Sequence, residues 1–177
     1  VLAALGSPLT NKYAEGYVGK RYYGGNVVID EVENLAKERA FKLFKLSDKK
    51  WDVNVQALSG SPANLAVLQA LVAHGGKSMG MGLARGGHLT NGFKASSTGK
   101  LWKQIPYGVD QKTEMLDYAA LMKVAKKEKP TLVIAGFTAY PRIVDWKKFR
   151  AIANACGALL MADMSHVAGL VAGGVYP

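Results

Sequence analysis

The chain has 177 residues, 49% of them apolar, and carries 23 Lys and Arg against 13 Asp and Glu, a formal net charge of +10. That length supports a domain with its own core. No apolar run approaches the roughly 18 residues that a transmembrane helix needs, and the single cysteine, Cys156, excludes an internal disulfide framework and fits a reducing compartment. The surplus lysines spread along helix faces (Lys37, Lys42, Lys45; Lys123, Lys126, Lys127; Lys147, Lys148) instead of forming one block interleaved with aromatics. That is the pattern of solvated helices, and a nucleic-acid groove is not expected.

The chain opens at Val1 without an initiator Met and closes at Pro177 in a loop-like stretch, so it reads as a piece of a longer chain. Residues 2–25 are rich in Gly, Tyr and charge and lack periodicity. Long loops of this kind tend to be functional or disordered, and the tyrosines argue against disorder. Residues 30–46 read as a helix: Val32, Leu35, Ala36, Leu43 and Phe44 form an apolar stripe, with Asp30 and Glu33 as a capping-box-like start. Residues 53–58 read as a strand. In Ser59-Gly60-Ser61-Pro62, Ser61 suits an N-cap and Pro62 the first helical position, and the nearly all-apolar 63–72 predicts a buried helix. A Gly-Ser turn opening such a helix offers N–H groups and a hydroxyl, which suits a phosphate as well as a plain cap.

Residues 75–89 are glycine-rich and hold two false motifs. Gly76-Lys77-Ser78 resembles the end of a P-loop, but Leu71 stands where the first glycine belongs. Gly80-Met81-Gly82 resembles a dinucleotide fingerprint, but Arg85 replaces its third glycine and no acidic residue follows at the required spacing. What remains is His88 on a glycine turn, Arg85-Gly86-Gly87-His88. Residues 100–107 read as a strand. Asp117 caps a helix running to about Glu128, stopped by Pro130; residues 131–137 form a strand; Asp145 caps a helix over 146–156, closed by Gly157. Residues 158–163, an apolar run ending in Asp163, complete a strand–helix–strand unit whose strands should be parallel. The fold class is therefore α/β, a mostly parallel sheet flanked by helices.

In such a sheet ligands sit at the carboxyl ends of strands. Three features fall there: the Ser59–Ser61 turn, Thr138 after one strand, and Asp163 with His166 after another, with His88 from a nearby loop. The three histidines show no metal-ligand spacing, so no metal is expected. A serine triad is not expected, and a magnesium carboxylate lacks its P-loop.

Taken together, NKYAEGYxGKRYYGGN (11–26), VNVQxxSGSPAN (53–64), GGHLT (86–90), AYPR (139–142) and ADMSHVAGLVAGGVYP (162–177) resemble serine hydroxymethyltransferase, a fold type I enzyme dependent on pyridoxal phosphate (PLP). Five motifs in the family's order are highly specific. The resemblance implies that residues 1–25 form an arm reaching a dimer's active site, and that residues 26–177 form part of the PLP-binding large domain. It implies Asp163 as partner of the pyridine nitrogen, His88 stacked on the ring with a catalytic part, Gly60 and Ser61 at the phosphate, and Thr138 and His166 near the phenolic oxygen. Tyr13, also at the cofactor, Glu15 and Tyr23 would enter the partner subunit's site, with Glu15 and Tyr23 catalytic and Glu15 handling a proton near the substrate hydroxyl. Leu83, Gly87 and Leu89 would line the folate pocket. The implied reaction interconverts serine and glycine and passes a one-carbon unit to tetrahydrofolate, in a homodimer or dimer of dimers, cytoplasmic or mitochondrial, with no membrane partner. The lysine that anchors PLP in this family lies beyond Pro177, so the 177 residues alone are expected to be inactive. Val18, Arg85, Asn91 and Thr138 depart from the family's usual residues. Two other readings compete: a folate-independent aldolase of threonine aldolase type, and a non-catalytic nucleic-acid-binding module.

Overall fold

The computed structural model describes residues 1–91 and 93–177, and the chain divides into two compact units, Val1–Ala57 and Leu58–Pro177. In the first, α1 (Leu2–Leu5) precedes a short 3-10 turn, an antiparallel hairpin of β1 (Gly16–Tyr17) and β2 (Lys20–Arg21), and α2 (Val27–Leu43). Arg21 organises the hairpin. Its side chain is 5% exposed; Nη1 donates to the Ala14 and Gly16 carbonyls at 2.7 and 2.8 Å, Nε to Asp30 Oδ1 at 2.8 Å and Nη2 to Glu33 Oε2 at 2.6 Å. The expected capping role of Asp30 and Glu33 is therefore corrected. The helix begins earlier, at Val27, and both carboxylates turn to a guanidinium, whose charge-assisted bonds outweigh a helix-end N–H.

The strand expected over 53–58 does not form. Among the described residues nothing pairs with it, and local bonds take over, with Gln56 N–H donating to Asn54 Oδ1 at 2.9 Å. A strand is a property of its ladder as much as of its own sequence.

The second unit runs α3 (Gly60–Leu71), β3 (Lys77–Met81), α4 (Ser97–Leu101), β4 (Lys103–Tyr107), α5 (Tyr118–Glu128), β5 (Leu132–Gly136), α6 (Trp146–Cys156), β6 (Leu159–Asp163) and α7 (Ala168–Ala172). The four strands form one parallel sheet in the order β4-β3-β5-β6. The α/β class and parallel sheet follow the sequence reading, but β3 lies inside the glycine-rich 75–89 stretch, where no strand is expected. Lys77 and Gly80 break the look of a strand; four of its five residues are nevertheless buried.

All of β5 is buried, as a strand covered on both faces must be. Its alternate residues sort into two cores. Leu132 and Ile134 meet Leu68, Val72 and Trp102, whereas Val133 and Ala135 meet Leu121 and Ala125 of α5 and Phe149, Ile152 and Ala153 of α6. Helix α3 thus lies on one face and α5 with α6 on the other. The predicted caps of α5 and α6 hold: Asp117 accepts from the N–H groups of Ala119 and Ala120, Asp145 accepts from that of Lys148, and Gly157 ends α6 at φ 71°. Helix α3 is less buried than its composition suggests, with only Asn64 and Leu68 fully covered. Lys123, Lys126, Lys127, Lys147 and Lys148 are exposed, as the solvated-face reading expects. No helix among the described residues is long and apolar enough to cross a membrane.

Phe149 is wholly buried and packs against the rings of Tyr107, Tyr118 and Phe137 at centroid distances of 5.9, 5.6 and 6.2 Å. Phe149→Ala should lower the unfolding free energy by about 3–5 kcal/mol, read as a fall in the urea midpoint. Lys147→Ala, on the exposed side of the same helix, should change it by less than about 0.5 kcal/mol.

Candidate functional site

Parallel strands deliver their last residues to one edge, and the second unit gathers its reactive groups there. A cavity of about 220 Å³ is lined by Ser59, Gly60 and Ser61 from the start of α3, Asn64 one turn further on, His88 from the loop after β3, Phe137 and Thr138 after β5, and Asp163, Ser165 and His166 after β6.

The α3 end supplies donors. Ser59, not Ser61, is the N-cap residue, with extended backbone, and it makes no side-chain capping bond. The first N–H groups of a helix lack intrahelical acceptors. Pro62 has no N–H and that of Ala63 goes to Ser59 O at 3.2 Å, which leaves Gly60 and Ser61 at the open end. With the N-cap two residues earlier, the Ser61 hydroxyl is not needed as a cap.

Asp163 ends β6 opposite Gly136 in register. A side chain at Gly136 would collide with the Cβ of Asp163, so the glycine is what allows the carboxylate its place. Asp163 Oδ2 accepts from Asn64 Nδ2 at 2.9 Å, and Oδ1 accepts from the Ser165 N–H at 3.2 Å and its hydroxyl at 2.5 Å. Burial pushes the carboxyl up, but the hydrogen bonds from Ser165 and Asn64 outweigh it and hold Asp163 below the usual aspartate range. The carboxylate is thus held ionised and half-buried, with a smaller electrostatic contribution from His88 in the same direction.

His88 is half-buried, in a loop shaped by short 3-10 turns at Leu83–Arg85 and Leu89–Asn91. Its Nδ1 lies 2.8 Å from Thr90 Oγ1, and Asn64 Nδ2 also donates to Thr90 Oγ1 at 2.9 Å. The Gly86 carbonyl accepts from the N–H groups of Thr138 and Ala139 at 2.9 and 3.1 Å, tying the loops after β3 and β5 together. The site can receive a protonated heterocyclic nitrogen at Asp163 and an anionic group at the α3 end.

Six of the residues singled out in the sequence, Gly60, Ser61, His88, Thr138, Asp163 and His166, line this one cavity. Leu89 lines a neighbouring hollow with Ser61, Leu65 and Thr90, and Leu83 is exposed. Gly87 is pressed against the Met81 carbonyl, where no side chain fits. Tyr13, Glu15 and Tyr23 belong to the first unit and are exposed there, with the two tyrosine rings 5.6 Å apart. Asn64, Thr90 and Ser165 were missed. Their signals were an amide inside an apolar helix three residues past Ser61, and hydroxyls two residues beyond His88 and Asp163.

The family model described as serine hydroxymethyltransferase matches residues 1–177. Proteins named serine hydroxymethyltransferase from Legionella pneumophila (strain Corby), Mycoplasmopsis agalactiae and Psychromonas ingrahamii are 57%, 56% and 55% identical over all 177 residues. Those matches cover 100% of this chain and 42%, 41% and 41% of the relatives, so the chain spans about two fifths of their length.

Because the folded value of Asp163 is depressed, its stabilisation is present above the unfolded aspartate value and is lost as pH falls through the folded one. Carbon-detected titration should place Asp163 below the ordinary aspartate range. Ser165→Ala removes a donor while burial remains, so it should move the titration upward; an unmoved midpoint would contradict the hydrogen-bond account.

Proposed function

The chain belongs to the serine hydroxymethyltransferase family, and from that premise we propose that it forms the cofactor-binding part of an enzyme that interconverts serine and glycine, with pyridoxal phosphate as cofactor and tetrahydrofolate as one-carbon acceptor. The observation that carries this reading is an ionised Asp163 sharing one cavity with the open N-terminus of α3. The donor set suits the cofactor's two ends, a protonated pyridine nitrogen and a phosphate monoester. Bound here, pyridoxal phosphate would supply the electron sink for breaking the Cα–Cβ bond of serine.

In this reading Asp163 accepts the pyridinium N–H and keeps the proton on that nitrogen. Asn64 and Ser165 hold the carboxylate ionised and aimed. Gly60 and Ser61 bind the phosphate with N–H groups and a hydroxyl. His88 lies against the ring face, and Thr138 and His166 serve the phenolic oxygen. Tyr13, Glu15 and Tyr23 are exposed in their own unit, which leaves them available to a partner's site; we assign Glu15 to proton transfer at the substrate hydroxyl and Tyr23 to catalysis beside it. Leu83, Gly87 and Leu89 go to the folate side. A cytoplasmic homodimer, with residues 1–25 as the exchanging arm and residues 26–177 in the large domain, completes the proposal.

In the full-length protein, Asp163→Ala should reduce tetrahydrofolate-dependent serine turnover by at least about 100-fold with the fold retained by circular dichroism. Ser61→Ala should chiefly weaken pyridoxal phosphate retention, by about tenfold. Turnover near wild type for Asp163→Ala would overturn the assignment, and unchanged cofactor retention would return Ser61 to a structural role.

A further inference from the structure

Asn64 lies on α3, one turn beyond Ser61, and is buried at 7% exposure. A side-chain amide has two N–H donors and one acceptor oxygen. Both donors are committed, one to Asp163 Oδ2 and one to Thr90 Oγ1, each at 2.9 Å. The carboxylate fixes which way the amide faces, because an ionised carboxylate only accepts. Thr90 Oγ1 therefore accepts a hydrogen bond from Asn64, and its own single proton is available to His88 Nδ1, 2.8 Å away. A second bond fixes the direction. The backbone N–H of Thr90, which can only donate, reaches the same Nδ1 at 3.2 Å. Two donors converge on that nitrogen, so it carries the lone pair.

We propose that Asn64 is a positioning residue: through Thr90 it sets the direction of the hydrogen bonds between Asp163 and His88, and so holds the imidazole as the Nε2–H tautomer. His88 then presents an N–H donor at its far nitrogen to whatever shares the cavity, and the group it meets there is an acceptor, such as a carboxylate, phenolate or carbonyl oxygen. The inference deepens the proposed function, because His88 and Asp163 are the residues assigned to the cofactor ring. The tautomer itself rests only on bonds within the chain.

The test reads the tautomer directly. Long-range proton–nitrogen spectra of the His88 imidazole are recorded on the full-length protein at about pH 8, above the ordinary histidine range, with and without pyridoxal phosphate. The cofactor-free protein should show at least about a tenfold excess of Nε2–H over Nδ1–H. Asn64→Leu, close in volume but without donors, should erode that excess severalfold, and so should Thr90→Val, which keeps only the backbone donor; Thr90→Ser, which keeps the hydroxyl, should restore it. A role for Asn64 in stability alone would lower the unfolding midpoint and leave the tautomer of the folded protein unmoved. A wild-type Nδ1–H form, or an excess unchanged in Asn64→Leu, overturns the proposal. If that variant does not fold, an unchanged excess in Thr90→Val overturns it instead. Failure of the protein to bind pyridoxal phosphate would sink the proposed function while leaving the cofactor-free spectrum to decide this inference.

Discussion

An ionised carboxylate can sit half-buried at the end of a strand only if donors surround it, and the geometry of the candidate site follows from how Asp163 meets that condition. Desolvation works against the charge; Ser165 and Asn64 together reverse the balance. One donor comes from the turn that follows β6 and the other from α3, across the sheet edge. The bond that keeps Asp163 charged therefore also fastens the helix whose N-terminus opens into the cavity. Gly136 completes the arrangement from β5, since any larger residue would occupy the space of the Asp163 side chain.

The remainder of the second unit serves to bring these pieces to one edge. Four parallel strands must end together, and their buried alternation fixes the register that does so. Residues of β5 sort cleanly between the core under α3 and the core under α5 and α6, so the sheet is gripped on both faces. The Gly86 carbonyl then ties the loop bearing His88 to the loop bearing Thr138. Rigid elements hold the Asp163 and Ser61 ends, and hydrogen-bonded loops fill in between them, a division common to sites that orient a cofactor.

What the sequence disclosed depended on how local the physics was. Asp117, Asp145 and Gly157 act within one helical turn of themselves, and their caps were readable. So was the β5–α6–β6 unit, whose strands are plain apolar runs. By contrast, β3 has no strand signature in the glycine-rich 75–89 stretch, because Lys77 and Gly80 look unlike a strand, yet it is buried through pairing on both sides. The opposite error fell on 53–58, a strand-like sequence without a ladder partner among the described residues. Asp30 resembled a cap until Arg21, nine positions earlier, claimed it. The candidate site followed the same rule. Residues whose chemistry is declared by type, such as Asp163 and His88, stood out, whereas Asn64 acquires its importance only from Asp163, 99 positions away. Glu15 and Tyr23 owed their assignment wholly to family resemblance, since nothing in their own unit marks them as reactive.

The central claim of this account is that Asp163 is charged in order to hold a proton on the ring nitrogen of the proposed cofactor. The most direct measurement is the nitrogen spectrum of the full-length protein loaded with pyridoxal phosphate labelled at the ring nitrogen. The account predicts a protonated ring nitrogen that stays protonated from about pH 6 to 9, far above the range in which the nitrogen of an exposed pyridine ring keeps its proton without a carboxylate partner. An unprotonated ring nitrogen at neutral pH, in protein that retains the cofactor, would contradict it.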